Sequence, residues 1–232
     1  MLKANRYNNK GYLSQFWHDQ IKPLLPAIFV VYVPLFILLL ILRVQTAIPV
    51  PYLTRDPVAI FEAPFYLGAI SNLGILFWCS AAAICLFCCV VLKKLDKHKE
   101  LKSFFLMSGL ISSVFLIDDF FLFHDDVFPK RLHFPEEIVV LLEGLMVLAY
   151  LVRFRKNILN DNFIFLLFAL MFFGFSAGLD QSFYVAYKVD QLLGQDSEYF
   201  VEDGLKLLGI VSWFMYLAII SVKNMLLLLM KD

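Results

Sequence analysis

Four aspartates and one histidine stand close together at the end of an apolar run, in the segment LIDDFFLFHDDVF at positions 116–128. They are Asp118, Asp119, His124, Asp125 and Asp126. Carboxylate oxygens are the ligands that Mg²⁺, Ca²⁺ and Mn²⁺ prefer, and an added imidazole extends the choice to Zn²⁺ or Fe²⁺. The segment therefore predicts a carboxylate-dominated site for a divalent metal ion whose identity stays open among these five.

Depth in the membrane distinguishes two of the acids. At 1.5 Å of rise per residue, Asp118 lies roughly 24 Å from Lys102, and Glu143 lies about 15 Å from Arg153, near the middle of a hydrocarbon layer of ~30 Å. A charged group at that depth costs about 2.5–3.5 kcal/mol on insertion scales. We therefore expect Glu143 and Asp118 to be functional, as the catalytic pair. The alternative is a protonated carboxyl that hydrogen-bonds a neighbouring helix.

Further acids stand at the ends of other apolar runs and are expected to converge on the same place. The predicted metal ligands are Asp118, Asp119, His124, Asp125, Glu143, Asp180 and Asp203. Asp118 and Asp125 are seven residues apart and share one face of a regular helix, whereas His124 falls on another face. Unwinding of the helix before Pro129 would turn His124 toward the aspartates. Glu202 precedes Lys206 by four residues, which is the spacing of a favourable helical pair.

The composition indicates a membrane protein. Of the 232 residues, 61% are hydrophobic and only 17% are charged, with a mean hydropathy of +0.76, whereas soluble domains are about 45–50% apolar. Six apolar runs occur, and none alternates as a membrane strand would. We predict an all-α, polytopic protein, a six-helix transmembrane bundle in a single domain of residues 1–232, and the fourth span, built on the apolar run 138–152, has the weakest support. The predicted spans are about 24–43, 69–92, 103–125, 135–154, 162–184 and 201–230.

The basic residues predict the orientation. Fourteen of the 20 Lys and Arg residues fall on the side of the two termini, and 15 of the 20 acids fall on the other side. Short loops rich in Lys and Arg stay in the cytoplasm, so both termini are expected inside (N-in/C-in) and the acidic cluster on the extracytoplasmic side. The absence of an N-x-S/T sequon fits a bacterial inner membrane.

Three functions stay open. The first is a membrane metalloenzyme that acts on a lipid-like substrate, the second is a cation or proton transporter that uses Glu143, and the third is a non-catalytic sensor or assembly protein. The chain has no E-x-x-H sequence, so the di-metal template of four-helix bundles is not met. Membrane lipids are the expected partners, and nucleic acid is not, because the basic residues follow one membrane face. Gly174 and Gly178 of the fifth span, with Gly204 and Gly209 of the sixth, could bring these two helices together under the site, and small-residue helix faces could also form a homo-oligomer.

Overall fold

The computed structural model describes residues 15, 17–18, 22–95, 99–180, 182–193 and 197–230. Every regular element in these ranges is helical, which agrees with the all-α prediction. The longer helices are α1 (Leu25–Val44), α2 (Ala69–Lys94), α3 (Lys99–Phe121), α4 (Glu136–Arg153), α5 (Ile164–Asp180), α6 (Phe183–Leu193) and α7 (Ser197–Leu229). Short helices span Lys22–Leu24, Val50–Thr54, Pro57–Ile60 and Arg155–Leu159, and a π-helix spans Phe123–Arg131.

Three helices, α2, α3 and α7, are long and apolar enough to cross a membrane. Two shorter apolar helices, Ile28–Val44 and Ile164–Asp180, accompany them. Helix α4 carries three glutamates and one arginine among its 18 residues, so its composition alone does not mark it as a span. These features are those of a membrane protein, while the number of six spans and the N-in/C-in orientation stay predictions.

The chain divides into two compact units, Met1–Leu67 and Gly68–Asp232. In the first unit, apolar side chains are exposed along the whole of α1, as on a helix that faces lipid. After α1, the Asp56 carboxylate caps the short helix Pro57–Ile60 by accepting the Val58 N–H at 2.7 Å. The candidate site lies in the second unit.

The core of the second unit is aromatic and brings four helices together. Helices α3 and α7 both pack against α2, and α5 packs against α7. Trp78 of α2 stacks on Phe115 of α3, with ring centroids 4.9 Å apart, and on Phe173 of α5, with centroids 5.8 Å apart. Trp213 of α7 meets the edge of Trp78. Close approach of α5 to α7 depends on Gly209, where an added Cβ would lie 2.7 Å from the Phe173 ring.

Helix α4 is attached at its two ends. Near its C-terminus, the Tyr150 hydroxyl and the Ser108 hydroxyl of α3 are hydrogen-bonded at 2.8 Å, and Phe154 packs against Phe104. At its N-terminus, α4 contacts the π-helix. Its middle makes few contacts with α3, which leaves a cleft between the two helices.

Charge separates the two ends of this unit. Lysines and arginines gather where α2 and α4 end and where α3 begins, and this end is called the basic end: Lys93, Lys94, Lys99, Lys102 and Arg153. Lys223 of α7 forms an ion pair with Asp161 there. The opposite end, called the acidic end, holds the C-terminus of α3, the π-helix and the first turn of α4.

Helix α3 stops earlier than the span of 103–125 that the sequence predicts. Leu122 has φ 54° and ψ 45°, in the left-handed region, and this residue interrupts the helical path. The chain then winds as the π-helix, with the N–H groups of Asp126 and Val127 bonded to the Leu122 carbonyl. The unwinding predicted before Pro129 is thus found seven residues earlier, and Pro129 itself lies inside the π-helix.

Candidate metal centre at the acidic end

The side chain of Asp118 is the centre of the cluster. It stands in the last turn of α3 and is 6% exposed. Because Leu122 redirects the chain, the His124 backbone N–H donates to Asp118 Oδ1 at 3.0 Å, and His124 Nδ1 contacts Asp118 Oδ2. One carboxylate therefore holds both the backbone and the ring of His124.

Asp119 is oriented by two other helices. Trp78 Nε1 of α2 donates to Asp119 Oδ2 at 2.8 Å, and Lys206 Nζ of α7 lies 2.9 Å from Asp119 Oδ1. Each oxygen of this carboxylate thus has one partner, and the ion pair with Lys206 compensates its charge in partly buried surroundings. The acidic ends of α2, α3 and α7 are joined at this residue.

Three of the predicted ligands meet. One ligand atom from each of Asp118, Asp119 and His124 lies within 4.8 Å of the others. A Zn²⁺ ion with ligands at about 2.1 Å separates any two of them by at most about 4.2 Å. The three side chains would therefore move closer together to hold one ion, since 4.8 Å exceeds this spacing.

Glu143 and Asp125 flank this set. Asp125 Oδ1 lies 3.2 Å from His124 Nε2, so the imidazole has a carboxylate at each nitrogen. Glu143 of α4 is close enough to be repelled by Asp118 and Asp119 and attracted by His124. Its carboxylate forms no hydrogen bond or ion pair with the part of the chain that the structure describes.

Two predicted ligands lie elsewhere at the acidic end. Asp203 is exposed on α7, and Asp180 ends α5, where its charge repels Glu202 and Glu136. Neither belongs to the set of atoms within 4.8 Å. The sequence places an acid at a helix end but not the direction in which it points, and the packing of α5 and α7 sets that direction.

The protonation of His124 is governed by opposing effects. Burial lowers the pKa of the imidazole, whereas the hydrogen bond to Asp118 and the charges of Asp118 and Asp125 raise it. The positive charge of Lys206 lowers the pKa of His124 and so opposes the effect of the carboxylates. The net result is a pKa of His124 above its ordinary value of 6.5.

The site contains two residues that the sequence does not assign to it, Lys206 and Trp78. Lys206 had a signal, because a lysine inside an apolar run requires a carboxylate nearby, but the spacing pointed to Glu202 rather than to Asp119. No sequence signal pointed to Trp78, since tryptophan in an apolar helix most often only packs against neighbouring apolar side chains. Its indole N–H finds Asp119 because α2 and α3 lie side by side.

A cleft adjoins the cluster. This α3–α4 cleft has a volume of about 340 Å³ and is lined by Ile117 and Asp118 of α3, Phe123 and Phe128 of the π-helix, and Leu142 and Glu143 of α4, among others. Its walls are apolar apart from the two carboxylates. The arrangement places a polar centre beside an apolar chamber.

Comparison with known proteins gives one match. Residues 27–220 match a family described as a domain of unknown function, DUF8692. No curated protein and no solved structure matches the chain.

Proposed function

We propose that this chain, which belongs to the DUF8692 family, is an integral membrane protein that binds a divalent metal ion at its acidic end. One observation carries the proposal: ligand atoms of Asp118, Asp119 and His124 lie within 4.8 Å of one another at the end of an apolar helix. Mg²⁺, Ca²⁺, Mn²⁺, Zn²⁺ and Fe²⁺ are the candidate ions.

The ligand set favours some of these metals. Two carboxylates with one imidazole suit Zn²⁺, Mn²⁺ or Fe²⁺ better than Mg²⁺ or Ca²⁺, which prefer oxygen alone. Three protein ligands leave room for water or substrate, as in catalytic rather than structural sites. Asp125 offers a further carboxylate, at the far nitrogen of His124.

The finer proposal is an enzyme that hydrolyses a lipid-like substrate. The metal would lower the pKa of a bound water, and Glu143, which has no hydrogen-bond partner in the described chain, would accept the proton. Glu143 would return this proton to the leaving oxygen or nitrogen as its bond to the carbonyl or phosphoryl centre breaks, and the oxygen of the water would take the place of the leaving group. One water is consumed in each cycle.

The orientation belongs to the same proposal. Basic residues gather at the end opposite to the cluster, and the positive-inside rule then places the acidic end on the extracytoplasmic side of a bacterial inner membrane. Labelling of a cysteine introduced in the π-helix, with a reagent that does not cross membranes, tests this in intact cells. Protection of that cysteine until the cells are lysed would reverse the orientation.

The experiment for metal binding is elemental analysis of the detergent-purified protein. Wild-type protein loaded with Zn²⁺, Mn²⁺ or Fe²⁺ and then desalted should retain about one ion per chain, and Asp118→Asn should retain little. Asp126→Asn is the matched control, because Asp126 is nearby but pairs with Lys130 and Arg131 instead. Equal metal content in wild type and Asp118→Asn, or no metal in wild type, contradicts the proposal.

A further inference from the structure

The α3–α4 cleft is built from one face of each helix. On α4, Leu142 and Glu143 lie three and four residues after Val139, and Met146 lies four and three residues after them, which places all four on one side of the helix. Val114, Ile117 and Asp118 do the same on α3. Each wall is therefore apolar with a single carboxylate, and the two carboxylates face the same space.

The structure bounds the cleft at both ends along the helix axes. Toward the basic end, the hydrogen bond between Tyr150 and Ser108 holds the two helices together. Toward the acidic end, Phe123 and Phe128 of the π-helix cover it.

The side of the cleft is open. Ile117 is 47% exposed and Leu142 is 55% exposed, although both line the cavity. Leu141, Leu145 and Leu148 of α4 are also exposed, so the opening lies in an apolar surface of the kind that faces hydrocarbon in a membrane protein. A second cavity of about 300 Å³ shares Phe128, Val139 and Leu142 with the first and continues the apolar lining to Leu132 and Phe134, which precede α4.

We propose that the α3–α4 cleft binds the acyl chain of a membrane lipid, which enters sideways between α3 and α4 with its oxygen-bearing polar group at Asp118 and Glu143. This inference rests on the proposed metal site and names the substrate class. A volume of about 340 Å³ lies within the range of roughly 300–1,000 Å³ that small-molecule sites occupy.

The charges agree with such a ligand. Two carboxylates without a metal would repel a phosphate or a carboxylate group, whereas a divalent cation on Asp118, Asp119 and His124 would attract its oxygens. The apolar walls continue past the carboxylates in the direction of the basic end, to Val114 and Met146. A chain that fills this part would therefore extend from the metal into the hydrocarbon region.

Photolabelling tests the proposal. Purified protein in phosphatidylcholine liposomes, loaded with Zn²⁺, is mixed with a fatty acid that carries a diazirine on its chain, irradiated and digested for mass spectrometry. Label is expected on peptides that contain Val114, Ile117 or Met146. Met146→Trp fills the cleft and should lower this labelling at least several-fold, and Val114→Trp should do the same from the opposite wall.

Leu148→Trp is the matched control, since Leu148 is exposed on α4 and does not line the cleft. The Leu148→Trp variant should be labelled in the cleft to the same extent as wild type. Labelling of Met146→Trp and Val114→Trp at the wild-type level, or label confined to other helices, overturns the lipid site. Metal content is measured on the same samples. Wild type that retains metal without labelling in the cleft refutes the lipid site alone, and wild type that labels there without retaining metal refutes the metal site.

Discussion

Asp118 holds His124 by two contacts, with its Oδ1 accepting the His124 backbone N–H at 3.0 Å and its Oδ2 in contact with the His124 ring. The two residues are six positions apart, on either side of the break at Leu122. The same carboxylate that stabilises the change of direction is thus the central metal ligand that we propose. Local folding and metal binding depend on one buried side chain.

The Asp118–His124 contact predicts how stability depends on pH in metal-free protein. The pKa of His124 is raised in the folded state, so the native state holds the proton to higher pH than the unfolded chain does. The stabilisation is fully present below about pH 6.5, the ordinary value for histidine, and is lost as pH rises through the folded-state pKa. Thermal unfolding in detergent with a chelator should therefore occur at a lower temperature at about pH 8 than at about pH 6.

The control for this prediction is His124→Gln, which cannot titrate. Its unfolding temperature should change less between the two pH values. In wild type, metal affinity should change in the opposite direction and increase with pH, because a metal binds the neutral imidazole and competes with the proton. A wild-type profile that coincides with that of His124→Gln would show that this histidine does not gain a proton partner on folding.

Lys206 and a metal ion should compete for Asp119. The ammonium lies 2.9 Å from Asp119 Oδ1, so a metal ion bound to the same carboxylate would stand close to a second positive charge and be repelled by it in partly buried surroundings. We expect Lys206→Met to bind Zn²⁺ about tenfold more tightly than wild type, which corresponds to ~1.4 kcal/mol. A metal titration with a competing fluorescent chelator measures the difference.

Lys223→Met is the matched control, because Lys223 belongs to the same helix but pairs with Asp161 at the basic end. Its metal affinity should equal that of wild type. Weaker metal binding by Lys206→Met would mean that Lys206 orients Asp119 for the metal and does not compete with it.

The sequence predicts that these charges are costly in a membrane, but it does not predict which groups they pair with. Acids in apolar runs are expensive anywhere in a membrane, so the composition alone indicates that Asp118 and Glu143 gather around a polar site. The pairing of Trp78 with Asp119 depends on which helices lie side by side, and a single sequence does not contain this information. The break at Leu122 is equally unpredicted, because leucine rarely adopts a left-handed conformation, and Pro129 was the more obvious place for it.

Small residues give another example of a pattern whose meaning depends on packing. Around Gly174, Gly178 and Gly204 there is open space, whereas an added Cβ at Gly209 would meet Phe173 at 2.7 Å. All four glycines fit a small-residue pattern. Only the structure distinguishes the one at which α5 and α7 approach closely.

Gly209→Ala should therefore weaken both the fold and the site. The methyl group must displace Phe173, which stacks on Trp78, and Trp78 in turn holds Asp119. Overpacking of this kind typically costs about 1–3 kcal/mol, and metal affinity should fall with it. Thermal unfolding and metal titration measure the two effects.

Gly204→Ala on the same helix is the control. Its added methyl group meets nothing within 4 Å, and alanine is the better helix former by about 1 kcal/mol, so this variant should be as stable as wild type or slightly more stable. If the two variants have the same unfolding temperature and metal affinity, α5 and α7 do not approach each other closely at Gly209.

The left-handed conformation of Leu122 predicts an unusual tolerance of glycine. Glycine adopts φ 54° without the steric cost of roughly 1–2 kcal/mol that a leucine bears there, and this gain offsets its entropic cost of roughly 0.5–1 kcal/mol. Leu122→Gly should therefore keep wild-type stability and metal content. Leu110→Gly is the matched control, since Leu110 is similarly exposed, 45% against 48%, but lies inside α3, where glycine costs about 1 kcal/mol. Equal destabilisation of both variants in thermal unfolding would show that the chain does not change direction at Leu122, and His124 would then have no route to Asp118.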